Sequence, residues 1–365
     1  MTSPWTPLHA QLHQVLRCPP RSDWPTPSLL PKGQRILVAV SGGQDSLCLV
    51  KLLLDLQPHW DWTLAIAHCN HRWRADSDAN ADYVATLAQA WNLPIHTVTV
   101  EADQRGAIAT EAGARTWRYQ VLTDLAIAHQ YAIVTTGHTA SDRAETLLYN
   151  LMRGSGADGL QALTWGRSLH PTVQLVRPLL FMTRGETEQF CQDAGFKPWI
   201  DHTNNDWRYA RNRIRQDLLP YLQANFNPRV ERTLAQTAEI LQADVAYLEA
   251  EAEKLWQQAT APDPASNSVG FQGSTPPASS PLSHPPTPQQ INRTILANAP
   301  LALQRRVMRR WLLLILPTAP NFGQVDKLTA LIAAPNRSQT DPFPGGAIAH
   351  IKGDWIIFNN PAHSR

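Results

Sequence analysis

A short run of serines, glycines and an aspartate has the residue types of a phosphate-binding loop. It occupies residues 41–46 and reads Ser41, Gly42, Gly43, Gln44, Asp45 and Ser46. Adjacent glycines let the backbone turn sharply and bring its N–H groups close to a ligand, and the serine hydroxyls add donors. A β-branched and aliphatic stretch precedes the run and an apolar stretch follows it, which predicts a buried strand, a tight loop and a buried helix. Because that helix would point its positive N-terminal end at the loop, the pattern predicts a site for phosphate or pyrophosphate.

The run differs from two common nucleotide-binding motifs. It lacks the lysine of the Gly-x-x-x-x-Gly-Lys-Ser/Thr loop and the glycine spacing of the dinucleotide motif Gly-x-Gly-x-x-Gly. The pattern Ser-Gly-Gly-x-Asp-Ser resembles the PP-loop of N-type ATP pyrophosphatases, which split ATP into AMP and pyrophosphate. The alternative is an ordinary glycine-rich turn between a strand and a helix.

Two further polar groups follow predicted strands. His68, Cys69 and His71 come after a strand predicted over residues 63–67, and residues 137–146 follow one predicted over 131–136. The first group lacks the two-pair ligand spacing of a zinc site, so a ligand-binding loop is favoured over a metal site. Strands that alternate with helices predict an α/β fold with a doubly wound parallel sheet. The carboxyl ends of parallel strands share one edge, where we expect the phosphate loop and both polar groups to meet.

Two acidic residues stand at the start of the helix after the fourth predicted strand. Asp142 and Glu145 are three residues apart, so their carboxylates fall on one side of the first turn and could hold an ammonium group. The alternative is N-terminal capping and compensation of the helix dipole, with Ser141 as the N-cap. His138, at the end of the strand, is either a ligand-binding or a structural histidine.

Arginines cluster in three places. Helix 110–130 carries Glu111, Arg115 and Arg118 on one face, as either a functional or a solvated charged face. Two further clusters have the spacing expected for contacts to an RNA backbone. One comprises Arg208, Arg211, Arg213 and Arg215. The other lies on a helix predicted over 301–316 and comprises Arg305, Arg306, Arg309 and Arg310. The alternatives are a charged, solvated helix face for the 208–215 cluster and contact with an anionic membrane surface for the 305–310 cluster.

Length and composition predict two or three domains and no membrane span. The chain has 365 residues, 43% hydrophobic residues and a net charge of +2, so contacts to RNA must come from local arginine clusters. Its four cysteines form no Cys-x-x-Cys pair, which argues against a zinc ribbon or a disulfide scaffold. Without a signal pattern or an apolar run of about 20 residues, a cytoplasmic location is expected. The predicted organisation is a lead-in over 1–32, a catalytic domain over 33–222, a connecting helix over 223–260, a Pro/Ser-rich linker over 261–290 and a small, mainly helical substrate domain over 291–365.

Several separated motifs together resemble the tRNA(Ile)-lysidine synthetases. Besides the loop, they include Glu-x-x-Ala-Arg-x-x-Arg-Tyr from 111, Arg-Gly-Ser-Gly from 153, Arg-Pro-Leu from 177, Thr203 with Asn204, and the segment 209–215. The match covers about residues 33–225, and residues 301–311 are similar to the family's arginine-bearing substrate domain. The resemblance implies that ATP adenylates the C2 oxygen of the wobble cytidine in tRNA(Ile) with a CAU anticodon. The ε-amine of free L-lysine then displaces AMP, and the lysidine formed reads AUA rather than AUG.

The resemblance also implies roles for individual residues. Magnesium is expected at Asp45, lysine at Asp142 and Glu145, and a phosphate or developing charge at Arg115. The two arginine clusters, 208–215 and 305–310, would bind tRNA, and a homodimer is expected from the resemblance alone. ATP is expected at the loop and the neighbouring strand ends, namely Ser41, Gly42, Gly43, Gln44, Asp45, Ser46, His68, Gly137 and His138. The sequence departs from the family's second motif, His-His-x-Asp-Asp-Gln, at Thr139, Ser141 and Arg143.

Two other classes of function share this fold or its RNA contacts. A tRNA 2-thiolation enzyme acting on cytidine would need cysteine pairs, and a GMP-synthetase-like or asparagine-synthetase-like enzyme would need a glutaminase domain; the sequence shows neither. A non-catalytic RNA-binding protein on the same scaffold would bind tRNA without releasing pyrophosphate.

Overall fold

The structure is a computed structural model that describes residues 5–18, 28–101, 103, 106, 108, 110–199, 207–261 and 288–359. The chain divides into two compact units, Met1–Ala243 and Asp244–Arg365. In the described part of the chain no helix combines the length and the apolar character that crossing a bilayer requires. The segment with Thr203 and Asn204, and nearly all of the Pro/Ser-rich stretch, lie outside the described residues.

The first unit is built on a six-stranded sheet. In chain order its strands are β1 (Arg35–Ala39), β2 (Thr63–Asn70), β3 (Ile95–Thr99), β4 (Ile133–Thr136), β5 (Gly166–His170) and β6 (Val173–Val176). Their order across the sheet is β3-β2-β1-β4-β6-β5, with only β5 antiparallel to its neighbour. The chain reverses its winding direction between β1 and β4, and ligands of doubly wound folds bind at that switch point, outside the carboxyl ends of the strands. The predicted fold class is confirmed.

Helices cover both faces of this sheet. They are α1 (Pro7–Arg17), α2 (Gln44–Trp60), α3 (Ser77–Ala90), α4 (Glu111–Ala128), α5 (Ala140–Met152), α6 (Ala157–Leu160), α7 (Arg184–Asp193), α8 (Ala210–Arg213) and α9 (Leu219–Asn225). Alternation along β1 sends Ile36 and Val38 into a core with α1, α2, α3 and α7, and Leu37 into a second core with α4. Because both faces are buried, the strands read as nearly continuous apolar runs. A π-helical segment, Ile214–Leu218, joins α8 to α9.

The second unit has its own core. Helix α10 (Val230–Thr260) spans the division between the units, and it is followed by β7 (Gln290–Asn292), α11 (Arg293–Ala297), α12 (Leu301–Ile315), α13 (Phe322–Ala330), β8 (Ile348–Lys352) and β9 (Trp355–Asn359). The three strands form an antiparallel sheet in the order β7-β9-β8. The apolar face of α12 packs onto this sheet and onto the C-terminal part of α10, with Met308 and Trp311 fully buried.

Three local expectations were wrong. Strand β2 continues through His68 and Cys69 to Asn70, because these residues pair in register with β3. The antiparallel strand β5 was missed, since Gly166–His170 is half polar and exposed and so lacks the apolar run of a central strand. The N-cap of α5 is Thr139, whose side chain accepts from the Asp142 N–H, while Ser141 lies within the first turn.

Candidate active site

The loop between β1 and α2 is held open by its own serines. The Ser46 hydroxyl donates to the Gly43 carbonyl at 2.8 Å and accepts from the Ser41 N–H at 3.2 Å. Gly42 has φ +89, and a Cβ there would lie 2.4 Å from Asn80 Oδ1, so only glycine fits. Asn80 in turn donates to the Ser41 carbonyl at 3.0 Å. The loop therefore presents backbone N–H groups at the N-terminus of α2, the arrangement that binds phosphate.

The end of β4 lies directly against this loop. A Cβ on Gly137 would be 2.8 Å from the backbone carbon and oxygen of Asp45, so the glycine permits the close approach. Next in the chain, Nδ1 of His138 forms a hydrogen bond with the Thr136 hydroxyl at 2.8 Å. Burial, with Arg177 next, lowers the pKa of His138 to about 3, so its imidazole is neutral at physiological pH.

Three carboxylates meet around one guanidinium at this edge. We call Asp45, Asp142 and Glu145 the carboxylate cluster. Arg184, the first residue of α7, donates to Asp45 Oδ2 and to Asp142 Oδ1 at 3.2 Å each, and reaches Glu145 Oε1 at 3.5 Å. The Thr187 hydroxyl donates to the other oxygen of Asp45. The sequence placed all three acids at one edge of the sheet but did not identify the arginine that joins them.

A second arginine brings the cluster to two guanidiniums against three carboxylates. Arg215 lies in the π-helical segment and donates to both oxygens of Glu145, at 2.6 and 2.8 Å, with Asp142 Oδ1 at 3.6 Å from it. Glu145 is almost fully buried, with 3% of its side chain exposed. The sequence grouped Arg215 with RNA-binding residues, whereas here its guanidinium faces inward to the carboxylate cluster. A π-turn changes the direction of side chains along a helix, and such turns often occur at functional sites.

The members of the cluster titrate differently. Burial raises the pKa of Asp45 and of Glu145 above their usual values, against the pull of the nearby guanidiniums. Burial also acts on Asp142, but Arg184 and His138 outweigh it and hold its pKa below the usual value. Burial lowers the pKa of Arg184, but Asp142 and Asp45 reverse this and raise it, so Arg184 stays charged.

Asp142 serves both of the roles that the sequence left open. Its Oδ2 accepts from the Thr139 N–H and from the Thr139 hydroxyl, both at 2.8 Å, which is a capping box. Its Oδ1 faces Arg184. One oxygen thus fixes the start of α5 and the other is directed into the site.

The remaining predicted site residues lie around this centre. His68 is buried beside the loop, and its Nδ1 is 2.8 Å from the Val40 carbonyl. Burial lowers the pKa of His68. Burial also lowers the pKa of His71 to about 4, and the nearby Arg118 and His68 add to this effect. Gln44 turns away from the loop and donates to the Arg184 carbonyl at 3.0 Å, which ties α2 to α7. Arg115 lies over the Tyr119 ring at 5.1 Å rather than on the carboxylate cluster.

The other arginines of the 208–215 cluster lie at the surface of the first unit. Arg211 donates to Glu111 on α4 at 2.8 Å, and Arg213 donates to the carbonyls of Trp207 and Arg208 at 2.7 and 3.2 Å. A role in RNA binding stays a prediction for this cluster.

In the second unit the α12 arginines form a ladder with acidic partners. Arg306 pairs with Glu249 of α10, and Arg310 pairs with Glu253 of the same helix. The two arginines are four residues apart, and so are the two glutamates. Arg305 pairs with Asp326 on α13 at 2.8 Å. Arg309, on the same helix, is exposed. These pairs join α12 to its neighbours, and contact with tRNA stays a prediction.

Comparison with known proteins places the chain in a family. Residues 12–222 match the PP-loop domain, and residues 292–354 match the TilS substrate binding domain. A tRNA(Ile)-lysidine synthase from Nostoc sp. is 58% identical, with 98% of each chain covered. One from Synechocystis sp. is 45% identical over 97% of this chain and 98% of the relative. The chain belongs to the tRNA(Ile)-lysidine synthase family.

Among solved structures, the fold is similar to that of the U34-tRNA thiolase NcsA from Methanococcus maripaludis. The TM-score is 0.51 at 16% identity, with 64% of this chain and 77% of that chain covered. At this identity the likeness concerns the fold alone. The PP-loop domain implies use of ATP.

Sequence reasoning missed Arg184 and Thr187. Both occur in a Thr-Arg-x-Glu-Thr stretch that has a capping-box pattern, Thr183 with Glu186. The pattern predicts the start of a helix, but it does not show which strand end that helix faces. An arginine in the first turn of a helix opposes the dipole, so a structural role as a surface residue is disfavoured there. That conflict was the available indication of function.

Proposed function

We propose that this chain joins the ε-amine of L-lysine to C2 of the wobble cytidine in tRNA(Ile) with a CAU anticodon, at the expense of ATP. The single observation that carries the proposal is the carboxylate cluster placed against the PP-loop in a lysidine synthase family member. An ATP site and an ammonium-binding site at one edge are what the two successive steps require.

In the first step the C2 oxygen of cytidine attacks the α-phosphorus of ATP, and the bond to pyrophosphate breaks. The N-terminus of α2, with the backbone N–H groups of the loop other than those of Ser41 and Gly43, holds the departing pyrophosphate. Adenylation converts a poor leaving group at C2 into a good one. The tRNA then carries AMP at the position that lysine attacks.

In the second step lysine enters as an ammonium and leaves its proton with the chain. The ammonium exchanges with the guanidinium of Arg184 at Asp142 Oδ1 and Glu145, so one cation replaces another next to these two carboxylates. Glu145 is the better proton acceptor of the two because its pKa is raised while that of Asp142 is lowered. The free amine attacks C2, the C–N bond forms and AMP leaves.

Magnesium would be held with the ATP phosphates through Asp45. Carboxylate and phosphate oxygens are the hard ligands that this ion prefers. Both oxygens of Asp45 are engaged, one by Thr187 and one by Arg184, so the ion fits once Arg184 releases its oxygen. When bound, it would offset the charge on the phosphates.

A thiolation reaction is disfavoured by the cysteines. Burial raises the pKa of both Cys69 and Cys191 to about 12, so both thiols are protonated at neutral pH. Sulfur transfer requires a thiolate. Ligation of lysine does not require a thiolate.

The test measures labelled lysine incorporated into a tRNA(Ile) transcript with a CAU anticodon, in the presence of ATP and magnesium. Elongator tRNA(Met) is the control RNA. Asp45→Asn should reduce incorporation by about a hundredfold, equivalent to about 3 kcal/mol, while Asp193→Asn at the exposed end of α7 should not. Pyrophosphate release without label would refute lysine as the nucleophile, and tRNA binding with neither signal would favour a non-catalytic RNA-binding protein.

A further inference from the structure

Four arginines gather on the α4 side of the ligand edge, around one tyrosine. The guanidinium carbons of Arg115, Arg118 and Arg167 lie 5.1, 5.6 and 4.7 Å from the centre of the Tyr119 ring. Arg177, the residue after β6, lies beside the same tyrosine and, with Arg115, holds the pKa of Tyr119 below its usual value against burial. We call these four residues the arginine cluster.

The arginine cluster has no counter-charge of its own. Among the described residues, none of its members forms an ion pair with a carboxylate. Arg177 is 2% exposed, donates to the Thr164 carbonyl at 2.6 Å, and its Nε has no partner in the described part of the chain. Burial and the neighbouring arginines lower the pKa of both Arg115 and Arg177. Cation–π contacts compensate only part of this repulsion, so the arrangement favours an anion.

An open cleft gives that anion access. Its volume is about 570 Å³, and its lining includes Arg115, Tyr119, Arg167 and one carboxylate, Asp124, which accepts from Gln120 at 2.9 Å. Arg118 lies outside the lining, on the same Tyr119 ring. Arg167 pairs in register with Leu175 near the carboxyl end of β6. Arg177, Arg118 and Arg115 all lower the pKa of His138. Because Arg177 follows β6 at the ligand edge and lies beside Tyr119, the lining of the cleft extends to that edge.

The occupant is not the triphosphate of ATP. The PP-loop already offers backbone amides to those phosphates at the start of α2, and α2 packs in the core on one face of the sheet. Tyr119 belongs to the core on the opposite face. A second polyanion is required, and guanidinium groups beside an aromatic ring are typical contacts to an RNA backbone.

We propose that Arg118, Arg167 and Tyr119 bind the sugar–phosphate backbone of the tRNA anticodon loop, next to the wobble cytidine. The inference rests on the proposed function for the identity of the RNA. It makes Arg118 and Arg167 positioning residues, which hold the loop so that the cytidine reaches the carboxylate cluster.

The test compares tRNA(Ile) binding by Arg167→Ala, Arg118→Ala and wild type over a range of salt concentrations. Each loss of a charged contact should weaken binding by about tenfold. It should also reduce the slope of log K against log salt by about 0.7 per phosphate. Arg167 is exposed, so its replacement leaves the core intact. Arg35→Ala is the matched control, because Arg35 also lies over a tyrosine, Tyr131 at 5.1 Å, but at the opposite edge of the sheet.

The outcomes separate this inference from the proposed function. Unchanged affinity and slope in both variants would overturn the inference, as would a raised KM for ATP with unchanged tRNA binding. Arg167→Lys should restore the salt slope and only part of the affinity, because the charge is kept and the planar stacking is lost. If wild type binds tRNA(Ile) but forms no lysidine, the ligation proposal fails while the binding comparison still decides the inference.

Discussion

Replacing Arg184 with methionine tests whether charge balance maintains the carboxylate cluster. The substitution keeps a long side chain and removes only the guanidinium. Arg184 and Arg215 together face the three carboxylates of the cluster. In the variant one guanidinium faces three acids, two of which, Asp45 and Asp142, lose their closest cation.

The magnitude follows from the distances. Asp45 Oδ2 and Asp142 Oδ1 each lie 3.2 Å from the same nitrogen of Arg184, so they are at most about 6 Å apart. Two unit charges at that separation repel by about 3 kcal/mol at an effective dielectric constant of about 20. Such a repulsion equals about two pKa units, so one carboxyl would take up a proton instead. We expect the free energy of unfolding at neutral pH to fall by about 2–3 kcal/mol.

The pH dependence identifies the cause. In wild type the pKa of Asp142 is lowered, so this group stabilises the fold above its unfolded value, and that stability is lost as pH falls through the folded value. In the variant the folded pKa rises, so the destabilisation is full above the raised value and fades as pH falls through it. The difference between wild type and variant should therefore be largest at neutral pH and shrink towards about pH 4.

Urea unfolding followed by circular dichroism at a series of pH values measures this difference. Arg232→Met is the matched control, since Arg232 also pairs with an acid, Glu186 of α7, but is 51% exposed, and should cost less than about 1 kcal/mol. Adding Asp45→Asn to Arg184→Met should recover most of the loss. A loss that is the same at every pH, or no loss at all, would refute the charge-balance argument.

Two further predictions concern the loop and the histidine. Gly137→Ala should weaken ATP binding by about tenfold or more in calorimetry, because its Cβ would lie 2.8 Å from the Asp45 backbone; Gly323→Ala, whose nearest new contact is 3.6 Å away, should bind ATP normally. Equal ATP affinities in the two variants would contradict the close packing at the switch point. His138→Asn should keep the shape of the pH–rate profile between about pH 5 and 8, because the wild-type pKa of about 3 leaves the ring neutral throughout. Loss of an acidic limb on substitution would show that His138 titrates in the working range.

The sequence was sufficient to predict those site residues that directly follow a strand. The PP-loop, Gly137 with His138, and the pair Asp142 and Glu145 each occur where a parallel strand ends, and the rule for doubly wound sheets places such ends together. The helix face of α12 was also readable, since its buried residues recur at three- and four-residue spacing.

Sequence was insufficient where the contact depends on tertiary packing. Arg184 is 139 residues from Asp45 in the chain, and no local pattern gives the direction in which α7 returns to the sheet. Arg215 is one of several similar arginines in the sequence. Two residues along a helix differ in direction by about 200°, but the local sequence does not show whether Arg213 or Arg215 faces the site. Local periodicity reports which face of a helix is apolar, but not which charged neighbour it will meet.

The departures from the family's second motif have partners in this structure. Ser141 accepts from the Arg184 N–H at 2.9 Å and donates to Glu231 of α10. Arg143 is 2% exposed and pairs with Glu239 on the same helix. Glu239 offsets the cost of burying the charge of Arg143, so removing Glu239 alone should destabilise the fold. The altered positions thus fasten α5 to the N-terminal part of α10 and fix the start of α7, while the unaltered acids of the motif keep their oxygens on the arginines of the site. Because Ser141 accepts from the backbone N–H of Arg184, it fixes the position from which the Arg184 side chain reaches the carboxylate cluster.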